Sequence, residues 1–291
     1  MQVIDTVAGF RKALDQERAA GRSVGLVPTM GFLHDGHASL MRRAAAECDV
    51  VAVTVFVNPL QFGANEDLDS YPRDLDGDVA RAAANGATYV FAPTTAEMYP
   101  TPMLTSVRVG AVSEPLEGHA RPGHFDGVAT VVAKLFAIAG TCRAYFGEKD
   151  FQQLAVVRRM AADLSLPVDV IGCPTVREPD GLAMSSRNAY LTAEERAVAP
   201  TLRQALGAGR RLIEETGERD PAAVRAAMAS VINAEPRFEL DYAEVVDPGD
   251  LSTPAVLAGE VRLLVAARLG RARLIDNISA TADPDTTGAS R

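Results

Sequence analysis

The chain contains a continuous apolar stretch, Asp49-Val50-Val51-Ala52-Val53-Thr54-Val55-Phe56-Val57-Asn58. Apolar and β-branched side chains occupy both alternating sets of positions, so both faces of a strand here would be apolar. Strands that are buried on both faces are typical of a parallel sheet covered by helices on each side. The stretch therefore predicts a central parallel strand of an α/β fold.

Helical and strand patterns alternate on both sides of this stretch. Apolar spacing and short β-branched runs predict helices over 7–20, 37–47, 75–85, 129–139 and 151–164, and strands over 23–28, 89–92, 143–147 and 168–172. Such alternation predicts a Rossmann-like, doubly wound parallel sheet in a first domain, residues 1–175. Ligands of such sheets bind beyond the carboxyl ends of the strands.

The pattern changes near residue 176. Thr192 and Glu195 form a capping-box pattern that predicts one long helix over 193–216, and Asp220-Pro221 predicts another that runs to about residue 235. Strand patterns follow over 239–246, 261–268 and 273–278. Residues 176–280 are therefore expected to form a smaller α+β domain. Residues 281–291 are polar and are expected to be a disordered tail.

Composition excludes several classes of protein. The net charge of −9 over 291 residues argues against nucleic-acid binding. No apolar run reaches the roughly 20 residues that span a bilayer, so no membrane partner is expected. The first residues lack a secretory-signal pattern. The three cysteines are scattered and form no CxxC pair, which favours a reduced, cytoplasmic protein.

A histidine-containing turn is expected where the second strand meets its helix, at Pro28-Thr29-Met30-Gly31-Phe32-Leu33-His34-Asp35-Gly36-His37. Here the helix dipole and a row of free backbone N–H groups would attract an anion such as a triphosphate. His34 and His37 could donate hydrogen bonds to phosphate oxygens. Two alternatives remain: surface histidines without a role, or a zinc pair, which would need further ligands. The remaining histidines, His119 and His124, lie in a glycine- and proline-rich stretch predicted as a loop.

Two further segments carry groups that suit phosphate. Gly147-Glu148-Lys149-Asp150 follows a predicted strand, and Lys149 is among only 3 lysines in 29 basic residues. The lysine would stand at the carboxyl edge of the sheet as a compact positive charge. Met184-Ser185-Ser186-Arg187 lies in a predicted loop whose hydroxyls and guanidinium could clamp pyrophosphate. Each segment alone could equally be an ordinary loop.

Together these motifs resemble the nucleotidyl-transferase superfamily, in which a His-x-Gly-His turn and a Lys-Met-Ser-Lys-Ser loop share ATP. Ala183 and Ser186 stand where the lysines of that loop would be, which argues against an aminoacyl-tRNA synthetase. The finer resemblance is to the pantothenate synthetase family. Its motifs are matched in order over 24–277 by 27–37, 56–62, 146–153 and 181–188.

The resemblance implies an enzyme that joins pantoate to β-alanine with ATP, by way of a pantoyl-adenylate, and releases AMP and pyrophosphate. It also implies a cytoplasmic homodimer that uses Mg²⁺ and whose smaller C-terminal domain acts as a lid. A cytidylyl- or adenylyl-transferase and a non-catalytic nucleotide sensor are the alternatives from other classes.

The resemblance also assigns roles to residues. His37, His34 and Lys149 would be catalytic, and Gln61 and Gln153 would bind pantoate, with Gln61 also near β-alanine. Asp78 would lie near the magnesium ion, in a stretch where Gly77 interrupts the run of acidic residues. The residues that would bind ATP are Met30, Gly31, Phe32, Leu33, His34, Asp35, Gly36, His37, Gly147, Glu148, Lys149, Asp150, Val176, Met184, Ser185, Ser186 and Arg187. Residues 63–71 could form a mobile wall.

Overall fold

The structure, a computed structural model, describes residues 1–63, 66 and 68–283. It divides into two compact units. The first unit comprises Met1–Glu148 and Gln152–Val176, and the second comprises Lys149–Phe151 and the described residues from Arg177 onward. The division differs from the predicted domain boundary because Lys149–Phe151 groups with the second unit.

The first unit contains a sheet of six parallel strands in the order β1-β4-β3-β2-β5-β6. Their bounds are β1 Gln2–Ile4, β2 Val24–Thr29, β3 Val50–Val55, β4 Tyr89–Phe91, β5 Cys142–Gly147 and β6 Val168–Cys173. In β3, Ala52 pairs with Leu26 on one side and Tyr89 on the other. The predicted α/β class and the interior position of this strand are confirmed.

The connections of the first unit are helical. The helices are α1 Val7–Ala19, α2 Asp35–Glu47, α3 Leu75–Ala84, α4 Thr95–Met98, α5 Glu117–Ala120, α6 His124–Ala139 and α7 Phe151–Asp163. The core contains Val27 and Val53 from the sheet and Met41 from α2. Burial of these side chains fixes the start of α2 against the carboxyl end of β2.

Helix α6 begins five residues before its predicted start. Gly123, whose φ is +83°, precedes it and reverses the chain after Pro122. His124 is therefore helical, as is His119 in α5, so the prediction of a loop at these two histidines was wrong.

The second unit packs three helices against a three-stranded antiparallel sheet of order β7-β8-β9. Its elements are α8 Ala193–Val198, α9 Thr201–Glu214, α10 Pro221–Asn233, β7 Phe238–Val246, β8 Gly259–Leu269 and β9 Ala272–Ala282. The predicted single helix over 193–216 was wrong. Pro200 separates α8 from α9 because proline cannot donate the amide hydrogen bond of a helix interior.

Strand β9 continues through Thr281 and Ala282, which were expected to begin the disordered tail. Asp283 is the last described residue. Residues 284–291 of the predicted tail lie outside the described residues, as do positions 64, 65 and 67 of the predicted mobile wall. Among the described residues, no helix is long and apolar enough to cross a bilayer.

Candidate functional site

The turn between β2 and α2 carries His34 and His37. His34 is the N-cap of α2, and its Nδ1 accepts a hydrogen bond from the Gly36 amide at 3.1 Å. The Nδ1 of His37 accepts from the His34 amide at 3.3 Å, which completes a reciprocal capping box. The two rings pack with centroids 4.1 Å apart. The helix start therefore fixes both imidazoles side by side.

These hydrogen bonds also settle where each ring carries its proton. Because Nδ1 is the acceptor in both His34 and His37, each neutral imidazole holds its proton on Nε2. The pair thus presents two Nε2–H donors at the positive end of the α2 dipole. Such donors suit phosphate oxygens.

Asp78 of α3 holds the preceding part of the turn. Its Oδ2 accepts from the Phe32 amide at 2.9 Å and its Oδ1 from the Leu33 amide at 2.7 Å. Gly31, with φ +86°, comes so close that a Cβ there would lie 2.8 Å from Asp78 Oδ2. Asp78 is only 3% exposed. The carboxylate therefore clamps the loop from within.

The expected row of free N–H groups was wrong. The amides of Phe32 and Leu33 bind Asp78, and the turn satisfies those of Gly31, His34 and Gly36 itself. A loop folded this tightly uses its amides to hold its shape. Recognition of an anion here consequently depends more on the imidazole Nε2–H groups than the sequence suggested.

Both oxygens of Asp78 are engaged by the turn, and its place near a magnesium ion stays a prediction. Burial raises the pKa of its carboxyl group despite these hydrogen bonds. Within the described part of the chain, no group of three or more His, Cys, Asp or Glu side chains is placed to hold a metal ion. The structure therefore gives Asp78 a role in shaping the turn.

Gln61 contacts the same turn. It lies at the end of a short 3₁₀ helix after β3, is 8% exposed, and donates from Nε2 to Met30 Sδ at 3.1 Å. Its Oε1 accepts from Asn58 Nδ2 at 3.1 Å. Asn58 is held in turn by the Tyr99 hydroxyl, which donates to Asn58 Oδ1 at 2.8 Å. These contacts fix the orientation of the Gln61 amide, whose nitrogen carries a second hydrogen for a ligand.

His124 supports Gln61 from the other side. Its Nδ1 lies 2.9 Å from the Gln61 carbonyl oxygen, and its Nε2 lies 3.0 Å from Arg121 Nη1. A carbonyl only accepts and a guanidinium only donates, so His124 is neutral with its proton on Nδ1. Burial and the Arg121 charge lower its pKa to about 4. Arg121 is paired with Glu66 at 2.6 Å.

Two adjacent glutamines in α7 have different surroundings. Gln152 is 3% exposed, accepts from the Glu117 amide, and donates to the carbonyls of Val112 and Pro115. Gln153 is partly exposed, and its side chain makes no hydrogen bond to the residues that the structure describes. Gln152 therefore holds the fold, whereas Gln153 has its amide available for a ligand.

The second unit contains Lys149 and Asp150 of one candidate segment and the whole of the other, 184–187, whereas Gly147 and Glu148 lie in the first unit. Lys149 lies in a short 3₁₀ helix, with Nζ 3.5 Å from Asp150 Oδ1 and a side chain 19% exposed. Ser185 caps a further 3₁₀ helix, and its Oγ accepts from the Arg187 amide at 3.3 Å. Met184 and Ser186 are partly exposed, and Val176 is partly buried at the end of the first unit.

The structure thus brings some of the predicted residues together. In the first unit, Gln61, Met30, Asp78 and the histidine pair are linked through direct contacts along the turn. Five supporting residues were not predicted from the sequence: Asn58, Tyr99, Arg121, His124 and Gln152. Asn58 lies inside the motif 56–62, three residues before Gln61. Its position in that motif was the sequence signal that could have indicated a supporting role.

A doubly wound parallel sheet with a histidine turn at the carboxyl end of β2 defines an α/β protein of the nucleotide-binding type. The sequence matches the Pantoate-beta-alanine ligase family over residues 2–279. The chain therefore belongs to that family, and the predicted family and enzyme class are confirmed.

Individual relatives agree with this membership. The pantothenate synthetase of Roseiflexus sp. strain RS-1 is 54% identical over 280 residues, which cover 95% of this chain and 98% of the relative. A crystal structure of pantothenate synthetase from Thermus thermophilus superposes with a TM-score of 0.91 and 49% identity, over 96% of this chain and 99% of that one. Pantoate-beta-alanine ligase from Francisella tularensis, complexed with beta-gamma ATP and β-alanine, has a TM-score of 0.79 and 32% identity, over 96% and 97% of the two chains.

Proposed function

We propose that this chain condenses pantoate with β-alanine at the expense of ATP, through a pantoyl-adenylate, and releases AMP and pyrophosphate. Family membership supports the overall reaction. The observation that carries the mechanism is the contact of Gln61 Nε2 with Met30 Sδ at 3.1 Å. It sets a glutamine proposed to bind pantoate against the turn whose histidines are proposed to bind the triphosphate.

In the first step, a carboxylate oxygen of pantoate attacks the α-phosphorus of ATP and the bond to pyrophosphate breaks. Gln61 and Gln153 hold pantoate through neutral amides, which leave the charge of its carboxylate unquenched. His34 and His37 donate from Nε2 as negative charge grows on the phosphate oxygens. Catalysis rests on positioning and charge stabilisation, with no covalent intermediate on the protein.

Other segments are proposed to bind the nucleotide. Lys149 and Arg187 supply positive charge to the phosphates. The further residues assigned to ATP are Met30, Gly31, Phe32, Leu33, Asp35, Gly36, Gly147, Glu148, Asp150, Val176, Met184, Ser185 and Ser186. Gly31, Phe32 and Leu33 act by shaping the turn, because their amides are already bonded.

In the second step, the amine of β-alanine attacks the carbonyl carbon of the mixed anhydride and AMP leaves. The new bond is the amide of pantothenate, and the amine loses a proton. Gln61 also contacts β-alanine in this proposal. The anhydride must be kept from water, since hydrolysis would waste it.

Three further properties belong to the proposal. Mg²⁺ belongs to the proposal as the ion that would offset the negative charge of the ATP phosphates, with Asp78 as the carboxylate predicted near it. The chain forms a homodimer, the assembly that the resemblance to its family implies. It works in the cytoplasm, where Cys48, Cys142 and Cys173 would stay reduced, as the structure has them.

The test is isotope transfer with mass spectrometry. The chain is mixed with ATP, Mg²⁺, β-alanine and pantoate labelled with ¹⁸O in its carboxylate, and each component is omitted in turn. Attack on the α-phosphorus predicts that label moves from pantoate into AMP, and that pantothenate forms only in the complete mixture.

Each other outcome counts against a stated part of the proposal. Label in inorganic phosphate would mean attack on a different phosphorus and would overturn the adenylate. A dinucleotide-like product would indicate a nucleotidyl-transferase. Binding of ATP with no AMP formed would indicate a nucleotide sensor.

A further inference from the structure

Strand β9 grips the main chain at Lys149. Asn277 donates from Nδ2 to the carbonyl oxygen of Lys149 at 2.7 Å. Asn277 is 3% exposed, so this bond is shielded from competition with water. The lysine-bearing segment is thereby tied to a rigid strand, although the two are 128 residues apart in the sequence.

Arg262 of β8 contacts both Asn277 and Phe151, which lies two residues after Lys149. Its Nε donates to Asn277 Oδ1 at 2.7 Å, and its guanidinium carbon lies 4.2 Å from the centroid of the Phe151 ring. Arg262 is itself 7% exposed. A buried guanidinium stacked on an aromatic ring is a strong contact, so it fixes Phe151 and the asparagine amide together.

The neighbouring residue on β9 grips the loop that leads to Ser185. Asp276 is 4% exposed and accepts from Arg177 Nη1 and Nη2 at 2.7 and 2.9 Å. Arg177 Nη1 also donates to the Gly181 carbonyl at 3.0 Å, and Arg177 forms a β-bridge with Ala183. Asp276 thus orders the chain directly before Met184.

The two anchors are also connected to each other. The Asn277 amide donates to Asp276 Oδ1 at 2.7 Å. Asp276 and Asn277 therefore form one buried polar unit, which holds the Lys149 segment on one side and the 181–183 loop on the other. Buried polar groups are costly unless paired, and here the pairing is made with those two segments and with the residues that brace them.

We propose that Asn277 and Asp276 are positioning residues that hold Lys149 and the Ser185–Arg187 segment in fixed relation for the ATP phosphates. This inference rests on the proposed function. Neither residue touches substrate. Each acts on adenylate formation by fixing the main chain of a segment whose side chains bind phosphate, so small displacements of that chain are costly.

The test is pantoate-dependent exchange of pyrophosphate into ATP, measured for Asn277→Ala and Asn277→Asp. Asn277→Asp keeps the acceptor for Arg262 and removes the donor to Lys149, so it decides the matter if the alanine variant folds poorly. The expected result for both is a kcat lowered roughly 10- to 100-fold. The KM for pantoate is expected to stay within about twofold, since neither residue contacts Gln61 or Gln153.

A double mutant separates positioning from general stability. If Asn277 acts through Lys149, adding Asn277→Ala to the Lys149→Ala variant should lower kcat by a further factor of less than about two. The matched controls are Ile278→Ala, which opens the core of the same strand, and Ser279→Ala, which alters an exposed position. At assay temperatures below their melting temperatures, both control variants are expected to have the kcat of the unsubstituted chain.

Three results would overturn the inference. The first is a near-normal kcat in Asn277→Asp. The second is that the effects of Asn277→Ala and Lys149→Ala on kcat simply multiply in the double mutant. The third is that Ile278→Ala loses as much kcat as an Asn277 variant with the same melting temperature. Failure of the unsubstituted chain to exchange pyrophosphate at all would instead count against the proposed function, so the two failures are distinguishable.

Discussion

Asp78 Oδ1 accepts a hydrogen bond from the Leu33 amide at 2.7 Å, across 45 residues of sequence. The carboxylate takes the Phe32 amide with its other oxygen. A helix that carries a single buried acid therefore sets the path of the loop that leads to the histidine pair.

We expect Asp78→Asn to disturb this loop, because an amide has one acceptor oxygen and turns an NH₂ group toward a backbone N–H. The free energy of unfolding should fall by about 1–3 kcal/mol, and the kcat of exchange should fall at least roughly tenfold. Urea unfolding and exchange assays measure the two effects. Asp76→Asn, on an exposed position of the same helix, is the control and should change neither.

The same variant also tests the predicted metal role. If Asp78 shapes the loop, the Mg²⁺ concentration that gives half-maximal exchange should stay unchanged in Asp78→Asn. A rise of about tenfold or more in that concentration would instead place Asp78 among the ligands of the ion.

Alanine at either proposed catalytic side chain should slow adenylate formation. His37→Ala and Lys149→Ala are each expected to lower exchange by about 100-fold or more, the scale for loss of one donor to a transition state. Near-normal exchange in either variant would remove that residue from the mechanism.

The two nitrogens of His37 can be separated by substitution. Asparagine places a polar atom near Nδ1 and keeps the cap, whereas glutamine extends an N–H toward the position of Nε2. We therefore expect His37→Gln to retain more exchange activity than His37→Asn, with thermal unfolding as the check on folding. The reverse order would argue that the cap, and not the Nε2–H donor, is what the reaction needs.

The adjacent glutamines of α7 should respond in opposite ways. Gln153→Ala should raise the KM for pantoate with little change in melting temperature, because its side chain is bonded to none of the described residues. Gln152→Ala should lower the free energy of unfolding by about 2–3 kcal/mol, since it leaves three backbone groups without their partner, two of them in buried contacts. Steady-state kinetics and urea unfolding distinguish them, and equal effects on KM would contradict the assignment.

Stability should depend on pH through His124. Its folded pKa is about 4, against 6.5 for an ordinary histidine. Between these values the unfolded chain binds a proton that the folded chain does not, so the free energy of unfolding falls as the pH drops from about 6.5 toward 4. Arg121 opposes the proton, while Glu66 and Glu117 favour it more weakly.

The size of this effect should be on the order of 3 kcal/mol, measured by urea unfolding at several pH values. His124→Asn should remove it from the pH profile. His119→Asn, at an exposed position, is the matched control and should leave the profile intact. Identical profiles for the unsubstituted chain and His124→Asn would show that the histidine is not held neutral.

The sheet could be predicted from the sequence because each strand is marked by the residues within it and directly beside it. The run from Val50 to Val55 is apolar on both faces, and the structure places it between two parallel neighbours. The histidine turn was predictable for the same reason, since strand, glycine and helix signals stand next to one another. The break between α8 and α9 also has a local signal, which is Pro200. The capping pattern at Thr192 predicts where the first helix begins and does not indicate where it ends.

The supports of the site could not be predicted, because they depend on contacts between distant segments. Nothing near Asp78 indicates that its partners are the amides of Phe32 and Leu33. Likewise, nothing at Asn277 indicates that it binds the carbonyl of Lys149. Such pairings are set by how helices and strands pack in three dimensions, and a single sequence carries no direct signal for them.

The grouping of Lys149–Phe151 with the second unit has a practical consequence for dissection of this enzyme. Cleavage after Val176 would yield an N-terminal fragment that carries Lys149 away from Asn277 and Phe151 away from Arg262. The C-terminal fragment would lose the peptide that covers its buried asparagine. Reassembly from separately expressed halves would thus require Lys149–Phe151 of one polypeptide to bind again to the other. A break in an exposed connection inside either unit is therefore a better place to split the chain.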